Sequence, residues 1–338
     1  MKPKVLIDCP NWVDPADWER LSQVVEPLRP STRESLSEDQ LIAALQGGVQ
    51  GLIRMGGLLP ELTRRVLENA PQLRLVGIRG DRFGRGIDLP AAAGRGIKVV
   101  DTDNIASSQP VAEWDLALMI LCLRNAGTVF RQMMAGSETW ASTQNEEGVN
   151  GELTGKRVGL LGCGHVGQRL IELLGPFRVD LRVCDPYLPA EVAARLGIVC
   201  GELDEVIGHA EILVVQVPHT PKTEGMIGAR ELGLLRRGGI LINCSRGKVL
   251  DQGALIKRLE AGELVAGLDV FDPEPLPADS VLRRLPNVFA TPHIAWCAPH
   301  AFSRYFSTMA GEFERFFKGE PLQYELTLRM VDIRHGRV

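Results

Sequence analysis

Short apolar runs alternate with longer segments of helical periodicity along most of the chain. This alternation is typical of parallel sheets whose two faces are covered by helices. Two such series follow one another, so the pattern predicts an α/β protein built from two units in series. The first series predicts strands at residues 5–7, 51–53, 75–78 and 97–100, with helices such as 38–45 and 61–69; the second predicts strands at 157–161, 181–184, 212–215, 240–243, 265–268 and 288–290.

The segment between the two series, residues 111–133, is apolar on most of its helical faces. A helix of this kind is expected to be buried on all sides. We expect it to run between the two domains and to pack against a second subunit; a helix inside the core of one domain is the alternative. Residues 134–155 lack periodicity and predict a loop or arm, whereas 302–318 predict an amphipathic docking helix.

Composition narrows the class of protein. The 338 residues, 45% hydrophobic and 24% charged, are ordinary for a soluble protein of two domains. The net charge of -4 argues against nucleic-acid binding. The apolar run at 116–123 is too short to span a membrane, and the N-terminus shows no secretory signal. The seven cysteines form no C-x-x-C pair, which predicts free thiols in a reducing cytoplasm and no metal site.

A glycine-rich turn follows the predicted strand at 157–161. Gly162, Gly164 and Gly167 form a G-x-G-x-x-G pattern between that strand and a helical run from 168 to 174. In a dinucleotide-binding unit the first glycine allows the tight turn, the second lets the backbone approach the pyrophosphate, and the third lets the helix pack closely. His165, in a variable position of the pattern, is expected to lie near the phosphates without acting as a catalyst.

An acidic residue stands where the pattern requires one. Asp185 follows the next strand, and 185 minus 162 gives 23 residues, close to the interval of about 20 for the acid that binds the ribose. Pro186, Tyr187 and Leu188 supply no cation for a 2′-phosphate. The sequence therefore predicts NAD rather than NADP.

Three later strand ends carry an arginine, a carboxylate and a histidine: Arg246, Glu274 and His293. Carboxyl ends of parallel strands meet at the ligand crevice. Hydride transfer to a ketone requires a proton donor, which histidine supplies near neutral pH, and a fixed positive charge, which arginine supplies. Each residue also has a structural interpretation: a surface ion pair for Arg246, a loop acid for Glu274 and a core histidine for His293.

These motifs together resemble the D-isomer-specific 2-hydroxyacid dehydrogenases. The resemblance extends over nearly the whole chain. It rests on Gly162 to Gly167, Asp185-Pro186-Tyr187, Asn243-Cys244-Ser245-Arg246-Gly247, Asp269-Val270-Phe271-Asp272-Pro273-Glu274-Pro275 and Thr291-Pro292-His293.

The resemblance implies an NAD-dependent enzyme that interconverts a D-2-hydroxy acid and its 2-oxo acid. His293 would be the general acid/base, Glu274 rather than Asp272 would support it, Arg246 would bind substrate, and Asp269 would lie near the nicotinamide. It also implies a homodimer, with contacts from the helix after Ser108 and the arm near Trp140. The implied fold is a Rossmann NAD-binding domain (107–299) inserted into a flavodoxin-like substrate domain (1–106 and 300–338), each a doubly wound parallel sheet.

On this basis the expected binding sites are specific. The expected cofactor residues are Gly162, Gly164, His165, Val166, Gly167, Asp185, Pro186, Val217, Pro218, Thr223, Cys244, Ser245, Arg246 and Asp269. The expected substrate residues are Arg79, Gly80, Asp81, Arg82, Arg246 and Trp296.

The loop from 79 to 88 departs from the family pattern, because Arg79, Arg82 and Arg85 lie within seven positions. These arginines would bind a second anionic group of the substrate, or they are solvated charges offset by Asp81 and Asp88. Trp296, three residues after His293, would favour a bulky substrate. A similar His-x-x-Trp arrangement occurs in NAD-sensing corepressors of the same superfamily, so a binding module is the alternative to an enzyme.

Overall fold

The computed structural model describes residues 1–10, 13–30, 34–79, 84, 86–137 and 151–337, apart from the side chains of 103, 104 and 299–302. The chain divides into two compact units, Met1–Ser107 with Ala298–Val338 (unit 1) and Ser108–Cys297 (unit 2).

Strands and helices alternate in both units. The strands are β1 Lys4–Asp8, β2 Glu26–Leu28, β3 Val49–Arg54, β4 Leu75–Ile78, β5 Lys98–Asp101, β6 Arg157–Leu161, β7 Asp180–Cys184, β8 Val199–Cys200, β9 Ile212–Val215, β10 Gly239–Asn243, β11 Leu264–Leu268 and β12 Val288–Ala290. The helices are α1 Pro15–Val24, α2 Glu38–Leu45, α3 Arg64–Glu68, α4 Leu89–Gly94, α5 Asp103–Ala106, α6 Ser108–Leu123, α7 Ala126–Ala135, α8 His165–Leu174, α9 Ala190–Leu196, α10 Leu203–His209, α11 Ala229–Leu234, α12 Gln252–Glu260, α13 Pro299–Lys318 and α14 Leu328–Arg334.

Unit 1 contains an all-parallel sheet in the order β2-β1-β3-β4-β5. Buried side chains alternate between its two faces, so the unit has one hydrophobic cluster against α2–α4 and another against α1 and α13. Glycine in β4 allows close packing, because a Cβ on Gly77 would lie 2.2 Å from Sδ of Met309 on α13. This strand order is the flavodoxin-like one.

Unit 2 contains an all-parallel sheet in the order β12-β11-β10-β9-β6-β7-β8. The order reverses between β6 and β9, which makes the carboxyl ends of these strands the ligand-binding switch point of a doubly wound sheet. Helix α6 packs on β10 and β11, where a Cβ on Gly267 would lie 3.1 Å from Cys122 and from Leu118. The predicted α/β class with two parallel sheets is confirmed.

The prediction of one continuous helix at 111–133 is wrong. The structure has two helices, α6 and α7, because Asn125 adopts a left-handed conformation with φ of 46°. Half of the residues of α6 are buried within the chain, whereas Ile120 is 38% exposed. Of the predicted arm, residues 134 and 135 end α7, and residues 138–150, with Trp140, lie outside the described residues.

Two short edge strands, β2 and β8, were not predicted. Strand β2 contains Pro27 and has no fully buried residue, and both residues of β8 are exposed. Their sequences lack the buried apolar run that marks the central strands. Among the helices of the described residues, none has the length and apolar character needed to cross a membrane.

Candidate active site

The turn after β6 is closed by close backbone contacts that only glycine permits. Gly162 has φ of +91°, and a Cβ there would lie 2.5 Å from the carbonyl oxygen of Gln216. A Cβ on Gly167 would lie 2.5 Å from the carbonyl oxygen of Gly162, so α8 packs directly against the turn. A Cβ on Gly164 would meet open space. The middle glycine therefore leaves room for a ligand to approach the backbone.

The first turn of α8 faces that open space. The helix begins at His165, and its N-cap, Gly164, provides no side-chain cap. Uncapped N–H groups and the helix dipole favour an anion such as a pyrophosphate. His165 and Val166 lie in this first turn and are half-buried. These features fit a dinucleotide.

Asp185 lies beside the same turn, just after β7. Its Oδ2 accepts a hydrogen bond from the Cys163 N–H at 2.8 Å, and its Oδ1 accepts one from the Tyr187 N–H at 2.9 Å. Each carboxylate oxygen keeps further acceptor capacity for ribose hydroxyls. Pro186, exposed, follows it without adding a charge. Burial raises the pKa of the neighbouring Cys163 to about 12, so this thiol stays neutral.

The segment after β9 lines the other side of the turn. A Cβ on Gly162 would lie 3.1 Å from Cγ1 of Val217. The hydroxyl of Thr223 donates to the carbonyl of Pro218 at 2.5 Å, which folds residues 218–223 into a compact loop. Three predicted cofactor residues, Val217, Pro218 and Thr223, thus belong to one loop at the switch point.

The structure brings His293 and Glu274 together. His293 Nδ1 lies 2.9 Å from Glu274 Oε2, and both side chains are about one-third exposed (37% and 36%). Glu274 Oε1 accepts a hydrogen bond from the Phe271 N–H at 2.9 Å. The carboxylate therefore orients the imidazole ring, while the other ring nitrogen is left for a substrate. A cavity of about 650 Å³ borders the pair and is lined mainly by apolar side chains.

Asp269 anchors the segment that carries His293. It is fully buried, and its carboxylate accepts three hydrogen bonds: from the Thr291 hydroxyl at 2.6 Å and from the N–H groups of Ile294 and Ala295, both at 2.9 Å. The His293 N–H donates to the Asp269 carbonyl at 2.8 Å, and His293 has a left-handed φ of 55°. Asp269 thus holds the backbone on both sides of the histidine.

The loop after β10 presents Arg246. Asn243, fully buried, accepts hydrogen bonds from the N–H and hydroxyl of Ser245 and donates from Nδ2 to the Arg246 carbonyl at 3.0 Å. Arg246 Nη1 donates to the Ser245 carbonyl at 2.5 Å. Cys244 and Ser245, in the same loop, are buried.

Asn243 and Gly247 are positioning residues that the sequence analysis did not assign. A Cβ on Gly247 would lie 1.9 Å from the Phe271 carbonyl oxygen, so the Arg246 loop and the loop leading to Glu274 touch through their backbones. A glycine four residues beyond the end of a central strand was the available signal.

The expected substrate residues fall into two groups. Arg79, in unit 1, is half-buried; its guanidinium lies 4.8 Å from the centre of the Tyr305 ring, and its N–H donates to the Arg54 carbonyl at 3.1 Å. Gly80, Asp81 and Arg82, as well as Arg85, lie outside the described residues. Trp296, in unit 2, is 38% exposed in the turn after His293.

Arg54, the last residue of β3 in unit 1, was not among the predicted site residues. Its Nε donates to the carbonyls of Leu59 and Pro60 at 3.1 and 2.9 Å.

In the part of the chain that the structure describes, no cluster of three or more His, Cys, Asp or Glu side chains is arranged to hold a metal ion.

Comparison with known proteins identifies the family. Residues 116–295 match the model of the D-isomer specific 2-hydroxyacid dehydrogenase, NAD binding domain. Glyoxylate/hydroxypyruvate reductase B of Yersinia enterocolitica is 34% identical over 274 residues, which are 77% of this chain and 79% of that protein. The chain belongs to the D-isomer-specific 2-hydroxyacid dehydrogenase family, and unit 2 contains its NAD-binding domain.

Two further relatives extend the comparison. The chain is 31% identical to D-3-phosphoglycerate dehydrogenase of Methanocaldococcus jannaschii over 309 residues, 91% of this chain but 57% of that protein. It therefore spans little more than half the length of this relative. A phosphoglycerate oxidoreductase from Rhizobium etli has the same fold, with a TM-score of 0.81 at 24% identity and coverage of 96% and 98% of the two chains.

Proposed function

We propose that the protein is an NAD-dependent oxidoreductase that interconverts a D-2-hydroxy acid and its 2-oxo acid. The observation that carries the proposal is the His293–Glu274 pair, 2.9 Å apart, anchored by Asp269 in a domain of the NAD-binding family. The alternative, an NAD-sensing binding module, is not favoured, because the similar proteins described above bear the names of dehydrogenases, reductases and oxidoreductases.

Residues of this chain would hold the cofactor, stabilise the developing charge on the substrate and transfer the proton. Gly162, Gly164, Gly167 and Asp185 would hold NAD, which would supply or accept the hydride. During reduction, negative charge develops on the carbonyl oxygen of the substrate. His293 donates its proton to that oxygen, and Glu274, bonded to Nδ1, orients the imidazole ring for the transfer. Arg246 holds the substrate's carboxylate or carbonyl oxygen with a charge that persists at all relevant pH values.

We propose that unit 2 binds the cofactor and that unit 1 contributes to binding of the substrate, as the resemblance implies. Arg79, in unit 1, and Trp296, in unit 2, are the described members of the expected substrate set. The substrate class is the small 2-oxo acids, since Arg246 provides one fixed cation for a carboxylate. Glyoxylate, hydroxypyruvate, phosphohydroxypyruvate, phenylpyruvate and branched 2-oxo acids are the candidates.

A substrate panel tests the proposal. The purified protein should oxidise NADH with at least one of these acids, as followed by NADH absorbance. The variant His293→Gln should lose activity by about 100-fold or more while its NADH affinity stays near that of the wild type. Absence of turnover with every acid of the panel, while NADH still binds, would refute the proposal that the protein is an enzyme and would favour the NAD-sensing binding module.

We further propose a homodimer that acts in the cytoplasm. Helix α7 supports the dimer, because Val129, Phe130, Met133 and Met134 are 52–71% exposed on one face of it. Burying such an apolar face against a second copy is favourable. All seven cysteines are free thiols, which supports a reducing compartment. Light scattering should report a dimer that Phe130→Glu weakens; a wild-type monomer would contradict it.

A further inference from the structure

A carboxyl that the proposed reaction does not use lies against the carboxyl edge of the unit 2 sheet. Asp115, on α6, has no exposed surface. It interacts with Gln216, Cys244 and Asp269, which are the first residues after β9, β10 and β11. Because these three strands are adjacent in the sheet, Asp115 lies under three consecutive strand ends.

Asp115 has too few donors to hold a stable negative charge. Gln216 Nε2 donates to its Oδ2 at 2.7 Å, and the Cys244 thiol, a weak donor, faces the carboxyl. Its Oδ1 accepts no N–H or O–H hydrogen bond from any described residue. Asp269, by contrast, accepts three strong hydrogen bonds. A buried carboxyl with so few donors favours its neutral form.

The charged groups around Asp115 also favour its neutral form. Burial and the nearby charge of Asp269 raise the pKa of Asp115 to about 7, although Cys244 and Gln216 oppose the shift. The arginines of the neighbouring helices bind elsewhere: Arg169 of α8 contacts Gln109 and Glu172, and Arg131 of α7 contacts Thr128 and Pro286. Among the described residues, no cation offsets a charge on Asp115.

Topology places this carboxyl at the nicotinamide half of the cofactor site. The glycine turn after β6 and Asp185 after β7 would hold the pyrophosphate and the adenosine ribose. The other half of a dinucleotide then lies over the strands on the opposite side of the switch point, β9–β11. The nicotinamide ring is cationic in NAD⁺ and neutral in NADH. A negative charge under these strand ends therefore stabilises NAD⁺ relative to NADH.

We propose that the charge state of Asp115 sets the preference of the site for NAD⁺ over NADH. Neutral Asp115 leaves that preference low, and ionised Asp115 raises it. By reciprocity, NAD⁺ binding releases the Asp115 proton to solvent, whereas NADH binding does not. The proposal rests on the proposed function only in taking NAD as the cofactor, and it does not require turnover.

Titration calorimetry of the full chain tests it directly. Binding of each nucleotide is measured in buffers of different ionisation heat, which gives the number of protons released. We expect NAD⁺ to release roughly half a proton near neutral pH and NADH almost none. The ratio of the NADH dissociation constant to that of NAD⁺ should rise about tenfold from about pH 6 to about pH 8.

Two variants show whether Asp115 is responsible. Asp115→Asn should abolish both the proton release and the pH dependence of the ratio. Glu312→Gln is the matched control: Glu312 is also buried, at 2% exposure, but it lies in unit 1 and accepts bonds from the Gln323 and Tyr324 N–H groups. This control should keep the wild-type behaviour.

The outcomes separate this proposal from the function on which it rests. A pH-independent ratio in the wild type, or an unchanged ratio in Asp115→Asn, would overturn the role of Asp115 and leave the dehydrogenase intact. Failure to bind either nucleotide would overturn both. The wild-type measurement alone decides the question if Asp115→Asn does not fold.

Discussion

Replacing Gly247 by alanine places a methyl group inside the backbone of the neighbouring loop. Its Cβ would lie 1.9 Å from the Phe271 carbonyl oxygen and 2.0 Å from the carbonyl carbon, whereas Cβ contacts under 3.0 Å are essentially never seen. The difference between 3.0 and 1.9 Å requires a displacement of at least 1.1 Å. Backbone atoms cannot rotate away as the end of a flexible side chain can, so one loop must move.

Each of the two loops serves the site: one carries Arg246, and the other positions Glu274. The Phe271 N–H donates to Glu274 Oε1, and Glu274 in turn holds His293. A misplacement of about 1 Å at reacting groups costs about 100-fold in rate, so we expect kcat to fall by about that factor. Overpacking should also lower the free energy of unfolding by about 1–3 kcal/mol.

The assay is steady-state NADH oxidation with the substrate that the panel identifies, together with urea unfolding. Gly233→Ala is the matched control, because a Cβ at Gly233, on α11, meets nothing within 4 Å. It should keep wild-type kcat and gain slightly in stability. A folded Gly247→Ala protein with wild-type kcat would refute the view that this contact positions the catalytic pair.

Three other substitutions test separate parts of the account. Asp115→Asn should become more stable relative to the wild type as pH rises from about 4 to about 7. The wild-type carboxyl, with a folded-state pKa of about 7 against 3.8, is protonated below about pH 4 in both folded and unfolded chains. Between about pH 4 and about pH 7 only the unfolded chain ionises, which lowers wild-type stability by up to about 4 kcal/mol, as urea unfolding at several pH values measures. Arg246→Lys should raise KM for the 2-oxo acid about tenfold or more with little change in NADH affinity, since lysine lacks the bidentate fork; unchanged kinetics would exclude substrate contact. Asp185→Ala should weaken NADH binding in calorimetry by about tenfold, and equal affinity would exclude the ribose contact.

Local patterns predicted the central part of the fold well. The bounds of β4, β6 and β9 match the predicted strands, because each is a largely apolar run that is buried in a parallel sheet. The glycine turn could be predicted because its three glycines have steric roles within a few residues of one another. The end of α6 before Asn125 could not be predicted, since a single left-handed residue interrupts an otherwise apolar helical pattern.

The contacts that position the site could not be predicted in the same way. Gly247 meets Phe271, and Asp115 meets Gln216, only after the sheet has assembled. A sequence pattern reports which face of an element is apolar, but not which residue of a distant element it touches. The aspartate in the apolar helix α6 was the one available sequence signal for this contact, because burying a carboxyl with few hydrogen-bond donors costs free energy.

Transfer of deuterium tests the central claim most directly. The protein is incubated with the 2-oxo acid panel and NADH deuterated at its hydride-donating carbon, and the products are analysed by mass spectrometry and chiral chromatography. We expect deuterium at carbon 2 of a D-2-hydroxy acid, and about 100-fold less labelled product from His293→Gln in the same time. Bound NADH with no labelled product from any acid of the panel, or label in the L-isomer, would contradict the account.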